Sequence, residues 1–351
     1  MSELPLLTHP GWLDASGPEA EIVLSSRIRL ARNLTGLPFA HRANPDERAQ
    51  VFEQIKEAIG RSALLGKARV VRIDRTSSVD RQYLTERHLI SPDLANGSGP
   101  RGVVIGDGET LSVMINEEDH VRIQSVFSGF NPLEAWRIAD KADDEMAREM
   151  EIAWSEEWGY LTTCPTNTGT GLRASVLIHL PALVLTKQIA KVLRGITQVG
   201  LAVRGMFGEG SEVMGNFFQI SNQTTLGLSE GDTLDSLSRV TRQIIDHERS
   251  ASEVLLKNAR LQVEDKVFRS WGLLTHCRVV SSQEVLSLVS AVRFGRTIGL
   301  LGDVGYDVLN RAMIETLPAH LQKGAGERLD QAERDYRRAR LVRELLGEKT
   351  S

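Results

Sequence analysis

Between Tyr160 and Ser221 the chain offers four strand candidates in succession: YLTT (160–163), ASVLIHL (174–180), GLAVRGMF (200–207) and FFQIS (217–221). Gly-rich loops separate them, not regular helices. A doubly wound parallel sheet needs a crossover helix between consecutive strands, so this order predicts an α+β fold built on a largely antiparallel sheet flanked by helices. VVRI (70–73), VVIG (103–106) and the alternating LSVMIN (111–116) add further strands. Helical spacing marks 46–59 after an Asn-Pro start, and 131–150 opened by Asn131 and Pro132.

From Thr233 the pattern changes. Leu237, Val240, Ile244 and Ala251 recur at helical spacing, and no Gly or Pro interrupts until Gly272. The stretches 283–301, 307–317 and 327–346 then read as amphipathic helices. The expected organisation is a sheet-bearing domain over 1–255, with a loose lead-in over 1–20, and a C-terminal α-helical domain over 256–351. The boundary is expected inside a continuous helix. A chain of 351 residues can bury a core in each part.

Several function classes drop out. The net charge of -4 gives no footing for nucleic acid. The two cysteines, Cys164 and Cys277, form neither a CxxC pair nor a zinc-ligand spacing. No apolar run approaches a membrane span, and the N-terminus lacks a basic signal-like region, so a cytoplasmic protein without membrane contact is expected. Three glycine patterns are decoys. GRSALLGKA (60–68) has five residues between its glycines and Ala68 where a Walker A loop has Ser or Thr. GSGPRG (97–102) and GTGLRA (169–174) precede strands instead of following one into a helix.

Five arginines sit in or beside polar or Gly-rich segments: Arg27 and Arg29 in SSRIR, Arg122 in NEEDHVRI, Arg173 after GTGL, and Arg204 before GMFGEG. Any one alone reads as a solvated surface residue. Arg27 and Arg29, two apart on an extended segment, point to one side. Guanidinium forks suit phosphate oxygens, and glycines let backbone approach a ligand, so the set together points to a polyphosphate.

VLSSRIR, NEEDHVRI, CPTNTGTGLRASV and the RG-xxx-E stretch followed by ISN and LGLSE occur in the order that resembles the catalytic domain of the phosphagen (guanidino) kinases, from about Ile22 to about Glu230. The resemblance implies a glutamine-synthetase-like domain and a kinase using ATP and Mg2+. It implies a nucleotide clamp of Ser25, Ser26, Arg27, Ile28 and Arg29, with His88, Arg122, Arg173, Ala174, Ser175, Val176, Leu177, Arg204, Gly205, Met206, Phe207, Gly208 and Glu209. Leu177 stands where creatine kinase relatives have a histidine; His179 lies two residues on, on the same face of a strand.

On the acceptor side, a guanidinium must be held in line with the γ-phosphate and relieved of a proton, which paired carboxylates can do. By motif position Glu118 is assigned as base and clamp, Glu117 as organiser of waters around Mg2+, and Glu209 as second guanidinium carboxylate with Glu212 in reserve. The resemblance makes Cys164 an orienting thiolate, with Asn167, Gly169 and Gly171 shaping its loop; without it, a small buried core residue is the alternative. Mg2+ is expected on phosphates and water, with no direct protein ligand.

The layout, with SSRIRLARN, CPTNTGTGLRASVLIHLPAL and RDYRRA, is similar to the bacterial protein-arginine kinases of McsB type across almost the whole chain. The first arginine motif at Ser25 leaves no room for a substrate-capping N-terminal domain. The similarity implies arginines on proteins as acceptors, marking for the ClpC-ClpP protease, a McsA-type activator, and a homodimer or higher oligomer. It also implies a phosphoarginine site at Arg334, Asp335, Arg338 and Ala339, the RDxxRA motif. Competing readings are a small-molecule arginine or creatine kinase and a non-enzymatic phosphoarginine-binding adaptor.

Overall fold

The computed structural model describes residues 4–206, 214–302 and 304–347. Among them lie ten strands: β1 (Val23–Arg32), β2 (Arg69–Arg72), β3 (Gly102–Ile105), β4 (Leu111–Ile115), β5 (Val121–Ser128), β6 (Trp154–Ser155), β7 (Gly159–Tyr160), β8 (Leu172–His179), β9 (Leu201–Gly205) and β10 (Phe217–Asn222). Eight form one sheet in the order β2-β3-β4-β5-β1-β8-β10-β9, and β6 and β7 form a separate hairpin. Every pairing is antiparallel, as expected, but the connection from β8 to β9 is not the Gly-rich loop expected there: it carries two short helices, Pro181–Leu185 and Ile189–Gln198. YLTT contributes to strand only through Tyr160, because Thr162 turns its hydroxyl onto the Cys164 carbonyl at 2.8 Å and the chain leaves the extended path.

The helices are α1 (Pro45–Arg61), α2 (Ser78–Glu86), α3 (Pro92–Asn96), α4 (Pro132–Ala147), α5 (Pro181–Leu185), α6 (Ile189–Gln198), α7 (Glu230–Asn258), α8 (Arg260–His276), α9 (Ser282–Thr297), α10 (Tyr306–Glu315), α11 (Pro318–Ala325) and α12 (Gln331–Gly347). Helix α1 starts where Asn44 caps it in a capping box with Glu47, ahead of Pro45. Helix α7 runs past residue 255 to Asn258, and Ala259, at φ -143°, separates it from α8. None of the described helices is long and apolar enough to cross a membrane.

The sheet has two unlike faces. Ile28, Leu30, Val113, Ile123, Ala174, Val176 and Ile220 turn to one side and pack on α1, α4 and α7 through Ile55, Ala139 and Leu237. Fully burying each Val, Leu or Ile side chain among them contributes about 1.5–3 kcal/mol. A register irregularity in β1 between Val23 and Ser25 reverses the alternation, so Leu24 joins the opposite face. There Leu24, Val126, Leu177 and Phe217 pack against Trp12, Leu13 and the C-terminal residues Val289, Leu309 and Met313.

The lead-in is therefore not loose. Trp12 and Leu13 are 2% and 0% exposed, and the Leu13 carbonyl accepts from Asn310 Nδ2 at 3.0 Å. Its polar, Pro- and Gly-bearing sequence hides this, because two apolar residues suffice to anchor it once the C-terminal helices supply the other wall.

Candidate active site

Strand alternation assembles the arginines. Residues directly opposed in an antiparallel ladder share a face. Arg29 lies opposite Arg173 on β8 and Gln124 on β5. Arg27 lies opposite Ser175 and Val126, and Gln219 opposite Arg204 on β9 and Leu177 on β8. Arg27, Arg29, Arg122, Arg173 and Arg204 thus line one cavity of about 490 Å3, with Thr85, His88, Glu117, Glu118, Cys164 and Asn167.

Crowding these cations has an electrostatic cost. Burial, then Arg173 and Arg122, lower the Arg27 guanidinium to about 10. Burial, then Arg27, Arg122 and Arg173, hold Arg29 well below its usual value, with Glu117 opposing. A polyanion in the cavity reverses each of these repulsions, so the residues present fit a nucleotide polyphosphate. His88 closes the same end. Burial, then Arg27, lowers its imidazole to about 3, so it is neutral at pH 7.

A small adjoining recess of about 20 Å3 is walled by Trp12, Ser25, Val126, Ser175, Leu177 and Met206, with Arg27, His88 and Gln219 common to both spaces. Ring centroids of Trp12 and His88 are 5.6 Å apart in an edge-on arrangement. The recess is too small to enclose a base, but its flat, largely apolar walls next to a cationic floor suit contact with one edge of a base attached to phosphates. Trp12 was invisible to the motif reading because it lies in the lead-in.

The side chains of Ser26, Ile28, Ala174 and Val176 lie on the other face. Ser26 Oγ donates to the Gly129 carbonyl at 2.9 Å, and the other three are fully buried in the core. Gly205 ends β9 opposite Phe218. Phe207, Gly208, Glu209 and Glu212 lie outside the described residues. His179, although on the face of Leu177, stacks on Phe217 with centroids 4.5 Å apart and bonds Ser290 Oγ at 2.8 Å, away from the cavity.

At the opposite end the turn between β4 and β5 carries the acidic pair. Arg122 bridges Glu117 at 2.7 Å and Glu118 at 3.0 Å. The Glu117 side chain is 1% exposed and also accepts from Ser91 Oγ, whereas Glu118 is 37% exposed. Burial raises the Glu118 carboxyl above its usual range against the pull of Arg122, with Asp119 and Glu117 adding to the rise. A raised carboxyl at a cavity edge is suited to taking up a proton.

Asp119, His120 and Asn33, all 0% exposed, hold that turn. Asn33 Nδ2 donates to Asp119 Oδ1 at 2.7 Å and to the Leu161 carbonyl at 3.0 Å, and the Thr163 N–H donates to the same Asp119 oxygen at 2.7 Å. His120 accepts from the Leu34 N–H at Nδ1 and bonds the Pro38 carbonyl at 2.8 Å through Nε2. Glu118 is thereby fixed relative to the Cys164 loop. The sequence signal was present in NEEDH, but its acidic run reads equally as a solvated turn.

Cys164 reaches the cavity and contacts Thr166 Oγ1 at 3.0 Å. Its loop is pinned by Thr225 Oγ1, which donates to the Thr166 and Thr168 carbonyls at 2.9 and 2.7 Å. Gly171, at φ 66°, passes so close to β1 that an added Cβ would sit 2.6 Å from the Ala31 carbonyl. Among the described residues no group of three or more His, Cys, Asp or Glu is placed to hold a metal ion.

The C-terminal motif is split. Arg334 lines a second cavity of about 920 Å3 between the lead-in, the start of α2 and the α11–α12 turn. Arg338, 1% exposed, turns inward and donates to the Thr316 carbonyl at 2.8 Å, the Val280 carbonyl at 3.0 Å and the Asp335 carboxylate. Ala339 is fully buried in the core.

Comparison with known proteins bears on both halves. Residues 50–251 match the family model for the ATP:guanido phosphotransferase C-terminal catalytic domain. Residues 260–351 match the model for the protein-arginine kinase McsB C-terminal domain. A protein-arginine kinase of Moorella thermoacetica is 49% identical over 98% of this chain and 99% of its own length. One of Bacillus subtilis is 45% identical over 95% of this chain and 93% of its own. Among solved structures, a lombricine kinase superposes with a TM-score of 0.60 at 26% identity, covering 69% of this chain and 71% of that one. A duplicated taurocyamine kinase of Schistosoma mansoni with transition-state analog components bound gives 0.61 at 25% identity, covering 69% of this chain and 36% of that one.

Proposed function

The chain belongs to the ATP:guanido phosphotransferase family, among its protein-arginine kinases, and from that premise we propose how its own residues move the γ-phosphoryl group of ATP onto an arginine side chain. The observation that carries the reading is one cavity with five arginines along its floor and Glu118 and Cys164 at one end. The arginines hold the phosphates and take up negative charge as it spreads over the transferring group. Trp12, His88, Leu177 and Met206 meet an edge of the base. Mg2+, held through phosphates and water, would supply further positive charge at the phosphates.

Glu118 accepts hydrogen bonds from the acceptor guanidinium and takes its Nη proton as the P–N bond forms and the bond to the β-bridging oxygen breaks, ADP leaving with that electron pair. Glu117, buried and paired with Arg122 at 2.7 Å, fixes that arginine and organises waters around Mg2+ rather than meeting the acceptor. Cys164 orients the guanidinium; Glu209, with Glu212 in reserve, supplies the second carboxylate.

We place the enzyme in the cytoplasm, acting on exposed arginines of proteins and marking them for a ClpC-ClpP-type protease, with a McsA-type activator and a homodimeric or larger assembly. Incubation with ATP and either free arginine or an arginine-rich unfolded protein, read by mass spectrometry at mildly basic pH, tests the acceptor. Phosphoarginine in the protein is expected. Phosphorylation of free arginine alone would indicate a small-molecule kinase, and binding of phosphoarginine without turnover an adaptor.

The RDxxRA stretch is proposed as the product-binding element. Arg334 is the member that faces open space, while Asp335 is committed to Arg338. Arg334→Ala should weaken phosphoarginine binding about tenfold in calorimetry, the scale of one charge-assisted pair. Equal binding by parent and variant would remove Arg334 from that role.

A further inference from the structure

Helix α11 begins without a cap of its own. Its N-cap position is Leu317, which offers no side-chain acceptor, and Pro318 follows. Four N–H groups at a helix start need partners. The carboxylate of Glu86, at the last position of α2, supplies one from elsewhere in the chain. It accepts from the Ala319 N–H at 2.9 and 3.1 Å, the His320 N–H at 3.1 Å, and His320 Nδ1 at 2.9 Å. Glu86 is 7% exposed and His320 8%, so water cannot readily replace these bonds. Two more contacts run beside it: Lys323 of α11 pairs with Asp80 of α2, and the Tyr83 and His320 rings lie 4.6 Å apart.

The other side of the same turn faces the nucleotide end of the cleft. Thr85 and His88, on either side of Glu86 in sequence, both line the cavity that holds the five arginines. His88 stands at φ 59°, a left-handed conformation that an ordinary residue keeps only when its surroundings enforce it. On one side the enforcement is visible: its N–H donates to Thr85 at 2.9 Å, and its carbonyl accepts from Gln124 Nε2 of β5 at 2.7 Å. Arg87, between them, is tied to Glu109 at 2.6 Å. The last turn of α2 is thus held from below by the sheet and from above by α11 through Glu86.

We propose that Glu86 is a positioning residue for phosphoryl transfer: by capping α11 it fixes the end of α2 so that His88 stays aimed at the nucleotide. The C-terminal helices then help to build the nucleotide site without lining it. This rests on reading that end of the cavity as the nucleotide end.

Calorimetric ADP binding to the full chain separates the possibilities. Glu86→Gln should raise the ADP Kd roughly tenfold, the scale of one lost charge-assisted hydrogen bond, while the KM for the protein acceptor changes less than about twofold. His88→Ala should also weaken ADP, and the double variant should be no weaker than His88→Ala alone, because Glu86 acts through His88. His320→Ala, which removes only the ring donor, should shift ADP affinity the same way by about threefold and serves if Glu86→Gln fails to fold. Unchanged ADP binding in Glu86→Gln, or multiplying effects in the double variant, would overturn the proposal. If His88→Ala itself binds ADP like the parent, the nucleotide reading falls first and the proposal with it.

Discussion

Glu118→Gln is expected to lose about 10²–10⁴ in kcat, the range of a removed general base, while ADP and ATP affinity stay within a few-fold of the parent. The substitution keeps the side chain's size and leaves an oxygen for Arg122, which Glu118 meets at 3.0 Å, so the turn between β4 and β5 should keep its shape. What disappears is the charge that clamps the acceptor and the site that takes its proton. The pH profile supplies a second check. Burial raises the Glu118 carboxyl, and the base must be ionised, so the parent's rate falls as pH drops through that raised value. The variant's residual rate should lack this limb. Steady-state kinetics against pH, with calorimetry for nucleotide, tests both; near-parental turnover would take Glu118 out of the base role.

Arg173→Ala should cost about 10²–10³ in kcat/KM for ATP, the scale of losing one preorganised charge at the transferring group. Its effect on folding should have the opposite sign. Arg173 contributes to lowering the guanidinium values of both Arg27 and Arg29, which means that it repels them in the ligand-free protein. A folded pKa below the unfolded value marks a penalty on the charged form, present wherever that form prevails in the unfolded chain, including pH 7. Removing Arg173 relieves part of it, so the ligand-free variant should melt no lower than the parent while activity collapses. A melting temperature several degrees lower, in step with lost activity, would assign Arg173 to structure instead of to the clamp.

A site built to receive four negative charges is strained when empty, and the arginines that repel one another in the free protein stabilise the transition state when the phosphates arrive. Five arginines gathered on one sheet face make no sense as packing, which is why their role survives even though each one alone reads as surface.

Much of this was legible in the chain. Arg27 and Arg29 are two apart, and the period of a strand is two, so their common face followed from covalent geometry. The antiparallel sheet was expected from Gly-rich connections, and the pairing is antiparallel, although the β8–β9 connection proves to be helical. The C-terminal helices followed from apolar spacing at 3.6 residues over long stretches. These are local properties, carried within one element, and local rules are strong where an element is long and its pattern unbroken.

Other parts depended on residues far apart in sequence. Helix α11 is only eight residues and holds Pro318 and Gly324, so its pattern is weak; its start is completed by Glu86, more than two hundred residues earlier. Trp12 reads as part of a polar lead-in until α10 and the sheet enclose it. His179 is as near to Leu177 as His88 is far, yet His88 lines the cavity and His179 faces α9, because β8 runs out of the site after Leu177. Arg334 and Arg338 share a helix face by spacing, yet one lines a cavity and the other is sealed in the core. The sequence by itself determined the long helices, most strands, which residues share a strand face, and which chemistry the motifs carry, since these depend on neighbours within a few residues; it missed the short helices at Pro181–Leu185 and Ile189–Gln198. Only the tertiary structure decided what each face meets, because burial and partner choice belong to segments brought together from across the chain.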